Sequence, residues 1–211
     1  MMTAAVSALL LIAAPDPVVA LKQQFVPGHG VTFTERAKTM IDGDPFSSSK
    51  RRGVVQFDRS GVVSYDVKAR SGLAKGAVRT IAVGEATYQR GGVIGKKWVR
   101  SPSKPGARTP FFSPILVLDP SAMKAMLATK GMITGSALYE ASPSFRATVQ
   151  SAKEAPSSIF WKLSTDPEGR PAKLVTWWTE PPGALGSVSK KSTLRFTSWG
   201  VPVNITAPPS S

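Results

Sequence analysis

The 211-residue chain has no cysteine, which excludes disulfides, thiolate metal sites and a lipid-modified N-terminal cysteine, so the fold must stand on packing alone. Histidine is almost as scarce. The one copy, His29, sits in the turn Pro27-Gly28-His29-Gly30, a setting more typical of a surface side chain than of a general base. The 13 acidic residues are dispersed, and no HxH or HExxH spacing accompanies them, so neither a zinc centre nor a two-carboxylate glycosidase site can be drawn. Ser60 in DRSGV and Ser187 in GSV lack the strand–nucleophile–helix setting of an activated serine. GGVIGKKW has a Gly-Lys pair without the glycine spacing or the following Ser/Thr of a phosphate loop. A non-catalytic protein without metal or cofactor is the expectation.

The apolar run from Ala4 to Ala14, AAVSALLLIAA, is shorter than the ~20 residues of a membrane-spanning helix. It has the length of a signal-peptide h-region, and the small residues Ala13 and Ala14 precede Pro15. Met1-Met2-Thr3 supplies no basic n-region, which points to a true start further upstream. Residues 1–15 are therefore expected to be removed on export, leaving a single domain over 16–207 and a short tail at 208–211.

Acidic charge is also short. With 27 Lys and Arg against 13 Asp and Glu, the net charge is +14, a balance that attracts polyanions: nucleic acid, anionic lipid headgroups or acidic wall polymers. The densest cluster is Lys50-Arg51-Arg52, with pairs at Lys96-Lys97 and Lys190-Lys191. None has the length or aromatic interleaving of a nucleic-acid motif, so no nucleic-acid partner is expected. Lys50, Arg51 and Arg52 are the candidates for docking on an anionic membrane surface.

What the chain does have is turn punctuation. Its 18 glycines and 18 prolines separate short alternating or β-branched runs: VTFTERAKTM, AVRTIAVGEATYQRG, KKWVRSP, RATVQ, SIFWKLSTD, AKLVTWWTE, STLRFTSWG and VPVNITAP. These predict a mainly β, mostly antiparallel sheet, with turns at Asp166-Pro167-Glu168-Gly169 and at Trp199-Gly200 before a last strand. In GVVQFDRSGVVSYDVKAR, two runs flank Arg59-Ser60-Gly61, a three-residue hairpin loop with glycine at its left-handed position. Pairing Asp58 with Val62 puts Phe57 opposite Val63 and Val55 opposite Tyr65, on one face with Val67.

Helices are few. Asp16-Pro17 caps and starts VVALKQQF, with Val18, Leu21 and Phe25 as its apolar stripe. Asp119-Pro120 does the same for DPSAMKAMLATKG, which ends at Gly131 and puts Met123, Met126 and Leu127 on one face. TGSALYEASPSF is a weaker candidate of at most two turns, limited by Pro143. Before the second helix runs PGARTPFFSPILVLD, a loop too apolar to be left in water. Its Phe111, Phe112 and Ile115 either plug the core or form a lid over a cavity.

DPVVALKQQFVPGHGVTFTE, KKWVRSP, DPSAMKAMLATKG, ALYEASPSFRA and STLRFTSWGVPVNITAP resemble segments of actinobacterial secreted proteins and lipoproteins of the LolA/LppX-like superfamily of envelope carriers. The resemblance covers nearly all of the chain from Asp16. It implies an α+β fold: a curved antiparallel half-barrel, with a few short helices covering a concave face that encloses acyl chains of a lipid or lipoprotein. The implied function is to bind and ferry such a group, needing only hydrocarbon burial at about 0.8 kcal/mol per methylene. On that reading Val55, Phe57, Val63, Tyr65 and Val67 face the cavity, opposed by Met123, Met126 and Leu127. Trp161, Leu163, Trp177, Leu194 and Phe196 extend the wall, although alternation leaves open which of Trp177 and Trp178 points inward. All of these residues also suit an ordinary core. Many relatives carry an acylated cysteine; without one, this chain is expected to be a monomeric, untethered carrier in the envelope or outside the cell. Two other readings stay open: an RseB-like sensor that binds an envelope protein, and a binder of anionic wall polymer or membrane.

Overall fold

The structure is a computed structural model that describes residues 15–73, 76–102, 117–128, 132–134, 138–141, 158–179 and 186–209. The expected signal segment, the strand RATVQ and the lid candidates Phe111, Phe112 and Ile115 lie outside the described residues. Among the described residues eleven strands follow the first helix: β1 (His29–Ile41), β2 (Asp44–Asp58), β3 (Gly61–Ser71), β4 (Ala77–Val83), β5 (Ala86–Gly91), β6 (Val99–Pro102), β7 (Met132–Thr134), β8 (Leu138–Ala141), β9 (Ser158–Thr165), β10 (Pro171–Thr179) and β11 (Val188–Pro202). The helices are α1 (Pro17–Gln23) and α2 (Pro120–Ala128), and a 3₁₀ turn spans Gly92–Ile94. All the strands join one curved open sheet in the order β6-β5-β4-β3-β2-β1-β11-β10-β9-β8-β7, and every pairing is antiparallel. This is the half-barrel class expected from the sequence.

β1 closes the topology by pairing with both β2 and β11, so the chain's last strand returns beside its first. Alternation then sorts the side chains. On β1, Val31, Phe33, Glu35 and Ala37 are buried, while Thr34, Arg36 and Lys38 are exposed. The first set lies on the inner face, where Leu21 of α1 and Met123 and Met126 of α2 join Val31 and Phe33 in one buried cluster.

Both helices begin as the sequence predicts. Asp16 Oδ1 accepts from the Val18 and Val19 amides at 2.7 and 3.4 Å, and Asp119 Oδ1 accepts from Ser121 and Ala122 at the same two distances. Leu21 is fully buried between Val18 and Phe25, which pack at the margin of the core.

Three local expectations need correction. Within TGSALYEASPSF the structure forms strand at Leu138–Ala141, with Tyr139 opposite Leu163 on β9, so sheet pairing overrides a weak helical pattern. Trp199-Gly200 is not a turn before a last strand. Positive φ values at Ser198 (53°) and Gly200 (75°) bulge β11 between the pairs Thr32–Thr197 and Gly30–Val201, and Val203 to Ala207 continue without strand pairing. The β2–β3 hairpin keeps Val55 opposite Tyr65, but Phe57 meets Val62 in place of Val63. Its turn is tightened when Asp58 Oδ1 accepts from the Ser60 amide and hydroxyl, both at 2.6 Å, and from the Gly61 amide at 3.1 Å. Gly61 has φ of 128°. This Asx turn draws Gly61 opposite Asp58 and forces the irregularity one step inside the strands.

Candidate functional site

The inner face is built from cross-strand rows. Val31, Val55, Tyr65 and Ala82 follow one another from β1 to β4; Phe33 meets Phe196; and Leu163, Leu174 and Leu194 stand side by side on β9, β10 and β11. Residue 53 must be glycine for this row to close. A Cβ there would lie 2.4 Å from the Asp66 carbonyl and 3.1 Å from the Phe33 ring, so the ring occupies the space above β2.

Most of the sequence-derived cavity candidates meet here. Val55, Phe57, Met123, Trp161 and Leu163 are at most 1% exposed, and Tyr65, Met126, Leu194 and Phe196 join them in one buried cluster. Val67 and Leu127 pack at its margin. The side chains fill one another's space, so in this state the apolar face is covered by the protein's own two helices. Two candidates do not belong to the cluster. Trp177 is 38% exposed and pairs with exposed Lys191, on the face opposite Thr176, Leu174 and the core. Val63, displaced by the hairpin irregularity, is half-buried outside the core and borders a small recess with Gln56, Val83 and Ile205.

Sequence reasoning missed Leu118, Val31, Phe33 and Trp199 as wall residues. VTFTE alternates cleanly, and its register with the hairpin would have found Val31 and Phe33. Nothing local signals Trp199, which the β11 bulge turns onto the core. There its ring stacks on Phe57 at 6.2 Å and 8°, and its Nε1 donates to the Pro171 carbonyl at 3.1 Å.

Further along the same face the wall turns polar. Glu35 is 4% exposed, accepts from Ser192 Oγ at 2.7 Å and lies 2.5 Å from Arg51 Nε. Arg51 approaches off the N–H axis, so Glu35 Oε2 has an ion-pair partner but no well-directed hydrogen bond. Lys190 stands near this pair, and its pKa is lowered by burial and then by the Arg51 charge, with Glu35 opposing. The docking triplet is therefore split. Lys50 and Arg52 are exposed on the outer face, whereas Arg51 faces inward in an ion pair and is unavailable for surface docking.

The outer face carries an open groove of ≈ 980 Å³ that reaches from β11 and β1 to β5, bordered by Arg52, Lys68, Arg79, Arg90 and Lys96, with Asp66 as its one acidic lining residue. Among the described residues no group of three or more His, Cys, Asp or Glu is placed to hold a metal, and no helix is long and apolar enough to cross a membrane. His29 Nδ1 lies 3.2 Å from the Pro27 carbonyl of its own turn.

No protein-family model matches this chain, and no curated protein matches it. Its structural neighbours include a DUF1329 family protein from Desulfovibrio piger, with TM-score 0.33 and 8% identity over 91% of this chain and 96% of that one. They also include a LolA superfamily protein from Nitrosomonas europaea, with TM-score 0.29 and 9% identity over 94% and 96% of the two chains. Both TM-scores are below 0.5, so neither likeness assigns a family or a function.

Proposed function

We propose that this chain is an exported, non-catalytic carrier whose concave face takes up the acyl chain of a lipid or acylated protein. The observation that carries this reading is the construction of the core. Among the described residues an eleven-stranded sheet keeps both edges unpaired, and its apolar inner face is roofed by helices of only 7 and 9 residues. Helices that short have no independent stability in water, so the roof is held by packing alone and can lift as a unit. Met123 and Met126 are the buried residues of α2, and methionine repacks around variable hydrocarbon at small cost. An acyl chain would replace the helix contacts on Phe57, Trp161 and Leu163, and the polar end at Glu35, Arg51 and Lys190 would lie beside its headgroup.

The test is native mass spectrometry and organic extraction of the chain from Asp16, secreted by a bacterial host, together with uptake of a dansyl-labelled fatty acid. The expected result is a co-purifying lipid or saturable uptake, reduced at least tenfold by Met126→Trp in a protein that still unfolds cooperatively. A ligand-free mass with no probe uptake would show that the inner face serves only the protein's own core.

A further inference from the structure

The outer face holds a feature that acyl binding does not use. Along one row perpendicular to the strands, Arg52 on β2 stands opposite Lys68 on β3, Lys68 opposite Arg79 on β4, and Arg79 opposite Arg90 on β5. On the other side of Arg52 the row continues through Thr34 on β1 to Arg195 on β11 and Lys173 on β10. Six of its seven positions are cationic and none is acidic. The next row adds Arg36, Lys50 and Arg70 as direct neighbours.

Like charges directly opposite one another destabilise a sheet, so four in succession are a standing cost to this fold. The structure offsets only part of it. Asp66, one rung away, holds Arg79 through Nε at 3.0 and 3.2 Å and through Nη2 at 2.5 Å. The Trp98 ring lies 4.5 Å from the Arg90 guanidinium and 5.9 Å from that of Arg79. Two arginines are thus held in place at the end of the row, while Arg52 and Lys68 remain exposed between them and β1.

We infer that this row is a binding site for a linear phosphodiester polyanion without bases, of the polyol-phosphate type. Neighbouring strands are about 4.8 Å apart, so the four contiguous cations form a line of about 15 Å, and the full row about twice that. A line of charges matches a chain. The groove above it is lined by all four of the contiguous cations. Arginine's fork suits phosphate oxygens. A base stacking on Trp98, the aromatic ring beside Arg90, would compete with the two guanidinium groups that already engage it.

The experiment is fluorescence anisotropy of a labelled poly(glycerol phosphate) oligomer with the full chain from Asp16, titrated across salt. Binding through four to six contacts gives a log–log salt slope of about −3 to −4. The variant Arg52→Gln/Lys68→Gln/Arg90→Gln is expected to lose at least tenfold in affinity and to flatten that slope by about 2. Its thermal midpoint should hold or rise, because the row's repulsion is relieved. A lowered midpoint would mean that these side chains support the fold, and would overturn the inference. The equal-charge control Lys22→Gln/Arg59→Gln/Lys124→Gln should bind as the parent does. Parent-like affinity in the row variant, or tighter binding to an oligothymidylate of equal charge, would overturn it. So would row-dependent binding to phosphatidylglycerol vesicles in the absence of oligomer binding. Acyl-probe uptake is read separately and is independent of each of these outcomes.

Discussion

The Lys190 side chain conflicts with its surroundings. It is half-buried on the inner face, beside Arg51, and its pKa is lowered because burial and the neighbouring cation both disfavour its charged form. Between that lowered value and the unfolded value of 10.5, the unfolded chain binds the proton that the folded chain has released. Stability therefore rises with pH across that window, and below it the full penalty is present. Lys190→Met should raise the thermal midpoint at pH 7, with the gain shrinking as the pH approaches 10.5; a pH series of thermal melts checks both. A neutral or destabilising effect at pH 7 would mean that the ammonium is satisfied where it stands. On the same face Glu35 has Ser192 and Arg51 as partners.

The elements of this fold differ in how far local rules determine them. α1 and α2 follow from Asp-Pro starts and an apolar stripe, and their caps stand where those rules put them. Asp119→Ala removes the side-chain acceptor for the Ser121 and Ala122 amides and should cost about 1 kcal/mol in urea-denaturation experiments. If α2 is part of a lifting roof, the same variant should speed dansyl fatty acid uptake several-fold in stopped-flow measurements. Unchanged uptake with reduced stability would separate the cap's structural role from any gating role. The hairpin was legible in kind but not in full register: alternation gave Val55–Tyr65, whereas the Asx turn at Asp58 shifted Phe57 from Val63 to Val62. β8 was misread because Leu138–Ala141 takes its conformation from pairing with β9, which no local pattern encodes.

For the whole molecule, charge and sheet geometry act together. A net charge of +14 repels itself, and the register concentrates that repulsion on the outer face. Raising sodium chloride from about 10 mM to about 150 mM shortens the screening length from about 30 to about 8 Å and should raise the thermal midpoint of the ligand-free protein by several degrees. A flat response would show that the fold has already neutralised its cations.

Composition and alternation were enough to determine a mainly β chain with two capped helices and an apolar stripe on each, because those properties depend on neighbours within a few residues. They also supplied most of the inner wall, from Val55 to Phe196. Only the tertiary structure decided that Trp177 faces out, that Arg51 turns inward to Glu35, and that Trp199 folds over Phe57 through a bulge in β11. It alone aligned Arg52, Lys68, Arg79 and Arg90, which stand 11 to 16 positions apart in the chain, into one row. The physical reason is that a strand's faces are set by its own period of two. Which residue stands beside which across strands is set by turn geometry and bulges, and these act only once the sheet is assembled.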